Sequence, residues 1–337
     1  MKQKKLYNVA VLGATGAVGQ EMIKVLAERK FPIGELRLLA SARSAGKAVR
    51  YEGREVVIQE AYDAAFEGMD IVLGAAENDI AKRFAPAIQA AGAVFVDNSS
   101  AFRLDPDVPL VVPEINAEDA YTQKKGIIAN PNCSTIITLM ALAPIARISS
   151  IETIVASTYQ AVSGAGANGL TELEAQAQAY PKGEPLTANA FPHQILFNLL
   201  PRIGGIGENG YSSEEMKLQN EGRKILHLPE LRVTCTCVRV PVMRSHSISA
   251  TFTTKRPVSV EEARAAIAAA EGVQLVDNPN NDVYPMPLDT SDQDDVFVGR
   301  IRRDLVSENG LTLWCCGDQI RKGAATNAVQ IAELLVK

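Results

Sequence analysis

The first third of the chain alternates short runs of apolar residues with segments whose apolar residues recur every three or four positions. Apolar runs bounded by turn residues predict buried strands, and the periodic segments predict amphipathic helices. The alternation predicts βαβ units on a parallel sheet, and unbroken apolar runs are typical of strands covered on both faces. The predicted strands are residues 9–12, 36–40, 70–74, 94–97 and 110–112, and the predicted helices are residues 16–29 and 79–91.

The pattern changes near the middle of the chain. Long strand-like runs rich in Thr, Ser and Val follow at 151–162 and 231–254. A polar helix is predicted at 214–226, where Ser212 and Glu215 have the spacing of a capping box. This second part is therefore predicted to be an α+β domain with a more open sheet.

The last segment of the chain predicts a helix that packs back onto the first domain. A length of 337 residues suggests two domains. We predict one domain at residues 1–131, completed by the C-terminal segment 319–337, and a second at 132–318. The apolar residues of the last helix recur at helical spacing, at Ala325, Ala328, Val329, Ala332 and Leu335.

Composition excludes several classes of protein. The net charge is −5 and no basic block is present, which argues against nucleic-acid binding. No apolar run reaches membrane-spanning length, and the apolar segment 8–12 is too short for a secretory signal. The five cysteines are an odd number without a framework spacing, which is typical of a reducing compartment. We therefore expect a cytoplasmic protein that binds neither nucleic acid nor membrane.

Four of the cysteines lie in strand-like runs: Cys235, Cys237, Cys315 and Cys316. We expect them to be small buried hydrophobic residues. A metal site would need further ligands, and the chain has only three histidines. We predict no metal site.

Glycines join the first predicted strand to the first predicted helix. Glycine lets the backbone turn tightly and approach a pyrophosphate, and the helix N-terminus attracts its negative charge. The spacing is Gly-x-x-Gly-x-x-Gly rather than Gly-x-Gly-x-x-Gly, so the strand-turn-helix context strengthens the interpretation. The alternative is a tight glycine turn without a ligand. The candidate dinucleotide-binding residues are Gly13, Thr15, Gly16, Ala17, Val18 and Gly19.

The end of the second predicted strand indicates which dinucleotide binds. A site for NAD usually places Asp or Glu here to hold the ribose hydroxyls, and neither is present. Arg43, with the hydroxyls of Ser41 and Ser44, instead suits a 2′-phosphate, so we predict NADP. The alternative is an exposed basic loop, because Lys47 and Arg50 follow closely.

A cysteine lies at a second predicted junction between strand and helix, in the sequence Asn-Pro-Asn-Cys-Ser-Thr at 130–135. Residues after Cys133 recur at helical spacing, which places this thiol on the first turn of a helix. The amides and the positive dipole end of that turn favour an anion, and the thiolate is the nucleophilic form of cysteine. The local pattern fits a catalytic thiol and a buried structural cysteine equally well.

Four separated segments of the chain resemble the aspartate-semialdehyde dehydrogenase family: residues 13–19, 130–135, 159–166 and 239–246. The resemblance covers nearly the whole chain in the right order. It implies a fold like glyceraldehyde-3-phosphate dehydrogenase, with an NADP-binding Rossmann domain followed by a catalytic and dimerisation domain. It also implies NADPH-dependent, reversible reduction of L-4-aspartyl phosphate to L-aspartate 4-semialdehyde with release of phosphate. That reaction feeds lysine, threonine, methionine and isoleucine synthesis.

The resemblance implies catalytic roles for three residues. Cys133 would attack the acyl phosphate and form a thioester, His246 would act as general acid and base, and Gln160 would orient the substrate. Considered alone, His246 fits a core histidine better, because it shares a strand face with Ile248, Ala250 and Phe252.

The resemblance also implies binding residues. Arg239 would hold the substrate α-carboxylate, Glu221 its amine, and Lys224, Arg103 and Asn132 the phosphate. Gly166 and Asn327 would contact the nicotinamide end of the cofactor. The family forms dimers, so we expect a homodimer or homotetramer.

Two of these assignments have competing interpretations in the sequence. Arg239 and His246 would lie on opposite faces of an unbroken strand, unless Pro241 interrupts it. Glu221 and Lys224 are three residues apart, which is also typical of an exposed ion pair on a helix.

Two other functions remain open. N-acetyl-γ-glutamyl-phosphate reductase uses the same fold and cysteine chemistry, but its substrate amine is acetylated, so an acid at Glu221 would be less needed. A non-catalytic NADP-sensing protein would keep the nucleotide turn and would need no reactive thiol.

Overall fold

A computed structural model describes residues 5–336, which form two compact units. The first unit comprises residues 5–132 and 324–336, and the second comprises residues 133–323. The first part of the first unit contains β1 (Tyr7–Leu12), α1 (Ala17–Glu28), β2 (Ile33–Ala40), β3 (Ala48–Tyr51), β4 (Arg54–Glu60), β5 (Ile71–Gly74), α2 (Asn78–Ala90), β6 (Val94–Asp97), α3 (Pro113–Asn116) and β7 (Ile127–Ala129).

These strands form a seven-stranded sheet in the order β3-β4-β2-β1-β5-β6-β7. All neighbours pair in parallel except β3 and β4, which are antiparallel. The order reverses on either side of β1, and ligands bind outside the carboxyl ends of parallel strands at such a point. Every residue of β5, β6 and β7 is buried, as the unbroken apolar runs predicted.

The predicted strand at 110–112 is wrong. Leu110 makes only an isolated parallel bridge to Ala129. Pro109 has no N–H to offer a neighbouring strand, and Pro113 begins α3 directly afterwards, so no longer ladder can form.

The second unit contains α4 (Cys133–Ala146), β8 (Ile151–Gln160), α5 (Gly166–Ala179), α6 (Ser213–Ile225), β9 (Arg232–Arg239), β10 (His246–Thr254), α7 (Val260–Ala268), β11 (Val273–Leu275), α8 (Pro287–Thr290), β12 (Val296–Arg303) and β13 (Gly310–Gly317). Its six-stranded sheet has the order β11-β12-β13-β10-β8-β9. Parallel and antiparallel pairs are mixed, because β10 is antiparallel to both β8 and β13 whereas β8 and β9 are parallel.

The strand-like run at 231–254 is two strands rather than one. β9 ends at Arg239 and β10 begins at His246, and β8 lies between them in the sheet. The predicted capping box of α6 is confirmed, because the Ser212 side chain accepts from the Glu215 amide and the Glu215 side chain accepts from the Ser212 amide.

Helix α4 is buried on all sides. Every residue from Ser134 to Ile145 is buried, and the helix packs against α6, α7, β8, β10, β12 and β13. A helix that is apolar all round forms the interior of a protein rather than its surface. Cys133, its first residue, is partly exposed.

The final helix, α9 (Thr326–Val336), belongs to the first unit. Ala328, Val329, Ile331 and Ala332 lie in the buried cluster that also contains residues of β1 and α1. The Arg29 side chain pairs with Glu333 at 2.7 Å. Helix α9 thus packs into the core of the first unit.

Cys235, Cys237, Cys315 and Cys316 are buried, as expected, and all five cysteines, which lie within the described part of the chain, are without disulfides. Burial raises the pKa of Cys316 to about 11. Within residues 5–336 no group of three or more His, Cys, Asp and Glu side chains is arranged to hold a metal ion. Over the same residues, every helix is too short or too polar to cross a bilayer.

Candidate active site

The glycine turn of the first unit is closely packed against its own backbone. Gly13 has φ +87°, and a Cβ there would lie 2.6 Å from the Ala75 carbonyl oxygen. A Cβ at Gly19 would overlap the Gly13 carbonyl oxygen. Only glycine fits these positions, and it leaves the backbone open to a close ligand.

The N-terminus of α1 is open to an anion. Gly16 is its N-cap and supplies no side-chain hydrogen bond to the first turn, which contains Ala17, Val18 and Gly19. Thr15 and Gly16 are exposed, and the Thr15 carbonyl accepts from the Gln20 side chain at 3.1 Å. Unpartnered amides at a helix N-terminus bind phosphate groups, so the turn fits a dinucleotide pyrophosphate.

The candidate 2′-phosphate residues follow β2, the strand next to β1. Ser41 and Arg43 are exposed, and Ser44 is half-buried. A short 3₁₀ turn at Ala42–Ser44 carries them. Because β1 and β2 are parallel neighbours, their carboxyl ends place this turn and the glycine turn on the same edge of the sheet.

A cavity of about 410 Å³ lies at the same edge, after β5 and β6, lined by Ala76, Glu77, Asn78, Asp79 and Ser99. Ser99 donates to the buried Asp97 carboxylate from its amide at 3.0 Å and from its hydroxyl at 2.6 Å. Burial raises the pKa of Asp97, and these hydrogen bonds oppose the rise.

Two predicted phosphate-binding residues lie in this first unit. Arg103 is buried, and its guanidinium donates to the Asn98 carbonyl at 2.8 Å. Asn132 is buried and is the last residue before the chain enters the second unit. The other three predicted substrate-binding residues belong to the second unit.

Asn327 is fully buried at the start of α9. Its amide nitrogen donates to the Val111 carbonyl at 2.9 Å and to the Asn130 side chain at 2.7 Å. Both hydrogens of the amide are thereby used inside the unit. This residue links α9 to the segments before α3 and α4. Gly166, the other predicted contact, has φ +73° at the start of α5, and a Cβ there would meet no atom within 4 Å.

In the second unit, Cys133 begins α4, as predicted. A single turn of π-helix, Arg321–Ala325, packs against it. A Cβ built on Gly323 would lie 2.9 Å from the Cys133 Cβ, so only glycine lets this turn approach the thiol so closely. Gly323 was missed by the sequence prediction, since a single glycine 190 residues away in the chain carries no local signal.

His246 is completely buried at the start of β10. The Ala161 amide donates to its Nδ1 at 3.1 Å, so a neutral ring carries its hydrogen on Nε2. Burial, and secondarily the charge of Arg239, lower the pKa of His246 to about 3, while Glu214 acts in the opposite direction. The ring is therefore a neutral imidazole at neutral pH.

Arg239 and His246 converge, although the sequence left their faces open. A Cβ at Gly164 would lie 2.7 Å from the Arg239 Nη1 and 3.2 Å from the His246 Cε1. Arg239 donates to the Ala161 carbonyl at 2.7 Å. Burial lowers the pKa of Arg239, and the neighbouring Cys133 and Glu214 partly offset this. Cys133 therefore lies within electrostatic reach of the guanidinium.

Gln160 ends β8 and is buried beside His246, with 3.3 Å between the two Nε2 atoms. The Gln160 amide nitrogen donates to Glu214 at 3.2 Å, and its oxygen accepts from the Thr158 hydroxyl at 3.0 Å. Glu214 was missed by the sequence prediction, because its position on the first turn of α6 looks like an ordinary helix-start acid.

Glu221 and Lys224 lie on α6, as predicted. The competing interpretation of an exposed ion pair is wrong for Glu221, because this residue is only 2% exposed. It shares the buried face of α6 with Glu214, Leu218 and Ile225. A buried carboxylate of this kind needs a partner of opposite charge or strong hydrogen bonds.

Gln319 ties together the segments that carry these side chains, and it was also missed. Its oxygen accepts from the Ser245 amide at 2.9 Å, and its nitrogen donates to the Ser163 hydroxyl. Ser245 has φ +72°, a strained conformation for a serine, directly before His246.

Comparison with known proteins shows similarity over nearly the whole chain. The family model "Semialdehyde dehydrogenase, NAD binding domain" matches residues 8–123, and "Semialdehyde dehydrogenase, dimerisation domain" matches residues 142–322. The chain is 52% identical to the aspartate-semialdehyde dehydrogenase of Aquifex aeolicus, covering 98% of both chains. It is 46% identical to that of Bacillus subtilis, covering 98% of this chain and 97% of the relative.

Two solved structures are similar. Aspartate semialdehyde dehydrogenase II of Vibrio cholerae, complexed with ASA, superposes with a TM-score of 0.96 at 44% identity, covering 99% of both chains. The Candida albicans enzyme with NADP superposes with a TM-score of 0.74 at 27% identity, covering 98% of both chains.

Proposed function

The chain belongs to the aspartate-semialdehyde dehydrogenase family, and we propose that it reversibly reduces L-4-aspartyl phosphate to L-aspartate 4-semialdehyde, with NADPH as reductant and Cys133 as nucleophile. The product serves the synthesis of lysine, threonine, methionine and isoleucine. The observation that carries the proposal is the convergence of Gln160, Arg239 and His246 in one buried cluster, whose arginine interacts electrostatically with Cys133.

The preference for NADP is supported by the residues after β2. Arg43 presents an exposed guanidinium between the hydroxyls of Ser41 and Ser44, and residues 41–51 contain no acid. The glycine turn fits the pyrophosphate, because Gly13 and Gly19 leave no room for a side chain. A similar structure holds NADP. When bound, the nicotinamide supplies the hydride that reduces the acyl group.

The chain's own part begins with the Cys133 thiolate. Its sulfur attacks the acyl carbon, the bond from carbon to the phosphate oxygen breaks, and phosphate leaves with the electron pair. After reduction, the carbon–sulfur bond breaks, the aldehyde forms and the thiolate is restored. This division replaces one difficult displacement by two easier steps.

His246 moves the proton at its Nε2. The Ala161 amide occupies Nδ1, so the opposite nitrogen is the one that faces the reacting group. Because burial keeps the ring neutral, Nε2–H donates to the developing oxyanion and the proton returns as the carbonyl re-forms.

The remaining residues bind substrate. Arg239 would hold the α-carboxylate, where burial strengthens a bidentate pair, and Glu221 would take the amine. Lys224, Arg103 and Asn132 would bind the leaving phosphate, which needs cationic and amide donors. Gly166 and Asn327 would border the nicotinamide.

We infer that the active protein is a homodimer or homotetramer, since the second unit matches a dimerisation domain. A measured mass by light scattering equal to one chain would contradict this. Five cysteines without a disulfide fit the reducing conditions of cytoplasm.

The test is phosphate-dependent reduction of NADP with aspartate semialdehyde, comparing the wild type with Cys133→Ala. We expect activity only in the wild type, with NADPH affinity nearly equal in both. Turnover of N-acetyl-glutamyl phosphate alone would favour the reductase instead. An acid at Glu221 would be less needed for that substrate, because an acetylated amine is uncharged and does not form an ion pair with a carboxylate. Alkylation of Cys133 without loss of function would favour an NADP sensor.

A further inference from the structure

Glu214 is a buried carboxylate next to the catalytic cluster, and the reaction above assigns it no role. It lies on the first turn of α6 and is 8% exposed. One of its oxygens accepts from the Lys217 ammonium at 2.8 Å, and the other accepts from the Gln160 amide nitrogen at 3.2 Å. A buried carboxylate that keeps its charge needs such donors.

The contact with Glu214 decides which way the Gln160 amide faces. A side-chain amide can point its oxygen or its nitrogen at a given neighbour, and the network around it settles the choice. An ionised carboxylate only accepts hydrogen bonds, so the nitrogen of Gln160 must face Glu214. The Thr158 hydroxyl, which donates to the Gln160 oxygen, holds the other end.

This orientation has a consequence for His246. The His246 Nε2 carries a hydrogen, because Nδ1 accepts from Ala161. The nitrogen of Gln160 lies 3.3 Å from that Nε2, so two donors stand side by side and cannot bond to each other. With the opposite orientation, the Gln160 oxygen would accept the His246 hydrogen and remove it from the reaction.

We propose that Glu214 is a positioning residue, which holds the Gln160 amide so that Gln160 and His246 both offer an N–H to the same oxygen of the reacting acyl group. Two converging donors form an oxyanion site, where each donor acts on charge that develops in the transition state. The proposal rests on the proposed function and assigns a task to a residue outside its catalytic set. Glu214 acts through Gln160 and does not itself contact substrate.

The alternative is a purely structural role for Glu214, in which its ion pair with Lys217 and its place at the start of α6 stabilise the helix. In that case, substituting Glu214 would lower the stability of the protein, and its effect would not depend on Gln160. The two interpretations differ in their dependence on Gln160, which a double-mutant cycle measures.

The experiment compares Glu214→Met, Glu214→Gln, Gln160→Met and the double variant Glu214→Met with Gln160→Met. Lys217→Met is the matched control, because it removes the other partner of the same carboxylate. Steady-state kcat and KM for aspartate semialdehyde, NADPH affinity and Tm are measured for each.

We expect Glu214→Met to lower kcat by about 10- to 100-fold, because removing one oxyanion donor lowers kcat by about 100- to 1000-fold and a displaced donor keeps part of its effect. KM should change less than about threefold. Glu214→Gln retains an oxygen that accepts from Gln160, so it should keep most of the wild-type kcat. In the Gln160→Met background, Glu214→Met should lower kcat by no more than about twofold. Lys217→Met removes a partly exposed ion pair but leaves the contact between Glu214 and Gln160, so it should lower kcat by less than about threefold.

Equal loss of kcat from Glu214→Met in both backgrounds would overturn the proposal, and so would Glu214→Gln being as slow as Glu214→Met. If Glu214→Met does not fold, Thr158→Val replaces it in the test, because this variant removes the second contact that holds the Gln160 amide. The effect of Thr158→Val on kcat must then vanish in the Gln160→Met background. A wild type without phosphate-dependent activity would instead contradict the proposed function, before any variant is compared.

Discussion

Replacing Gly323 by alanine should misplace the catalytic thiol while leaving the glycine turn at residues 13–19 intact. The added Cβ would lie 2.9 Å from the Cys133 Cβ and 3.3 Å from its Cα. Carbon atoms in contact prefer about 3.5–4.0 Å, so Cys133 or the π-turn must move by roughly 0.6 to 1.1 Å. Gly323 does not have a positive φ, so its backbone conformation tolerates alanine and the clash is the main effect of the substitution.

The size of the effect follows from this displacement. Overpacking a buried site costs about 1–3 kcal/mol. For a unit of this size each kcal/mol lowers Tm by about 2–4 °C, so Tm should fall by about 2–12 °C. Misplacing a reacting group by about 1 Å lowers the rate by roughly 100-fold. We expect kcat to fall by about that factor and NADPH affinity to stay within about twofold.

The assay combines phosphate-dependent NADP reduction, the rate of Cys133 alkylation by iodoacetamide, NADPH titration by fluorescence and thermal unfolding. Gly205→Ala is the control, since a Cβ at that glycine of the same unit meets no atom within 4 Å. Wild-type kcat and alkylation rate in Gly323→Ala would refute the reasoning, because the thiol would then tolerate a neighbour that the structure has no room for.

Three further predictions concern the cofactor site and pH. Gly19→Ala should raise the Kd for NADPH at least about tenfold, because the new Cβ overlaps the Gly13 carbonyl; an unchanged Kd in a folded variant would disprove the tight turn. Arg43→Ala should raise KM for NADPH by about 10- to 100-fold and leave KM for NADH nearly unchanged, as loss of a charged hydrogen bond implies; equal effects on both would argue against a 2′-phosphate contact. The pKa of His246 is lowered from its ordinary 6.5 to about 3 by burial, so the unfolded chain binds this proton first. The contribution of neutral His246 to the free energy of unfolding is therefore fully present above pH 6.5. It decreases as the pH falls toward 3, by at most about 1.4 kcal/mol per pH unit. The free energy of unfolding, measured by urea titration at several pH values, should depend less steeply on pH in His246→Asn than in the wild type across that range. An identical dependence on pH would contradict the assignment.

Local features of the sequence predicted much of the fold. The capping box at Ser212 and Glu215 and the helix that begins at Cys133 each depend on residues within one or two turns of each other. The parallel sheet followed from unbroken apolar runs, whose burial on both faces leaves no alternation. These signals are local, so a single chain displays them.

The packing around the thiol depends on residues far apart in the chain, and the sequence did not show it. Gly323 packs on Cys133, and Glu214 orients Gln160 across 54 residues, yet each looks unremarkable in its own segment. The faces of Arg239 and His246 could not be assigned, because the order of strands decides them: β8 separates β9 from β10. The apolar run at 110–112 predicted a strand, but the prolines on both sides of it prevent a longer ladder from forming.

The burial of α4 on every side limits how the surroundings of the nucleophile can be redesigned. Positions 134–145 offer no solvent-facing site, so each substitution there changes the core. A mutational scan of the helix would therefore lose activity mainly through loss of folded protein. Altering the substrate preference of this enzyme requires changes in segments outside the helix, such as those that carry Gln160, Arg239 and His246, while the helix itself stays fixed.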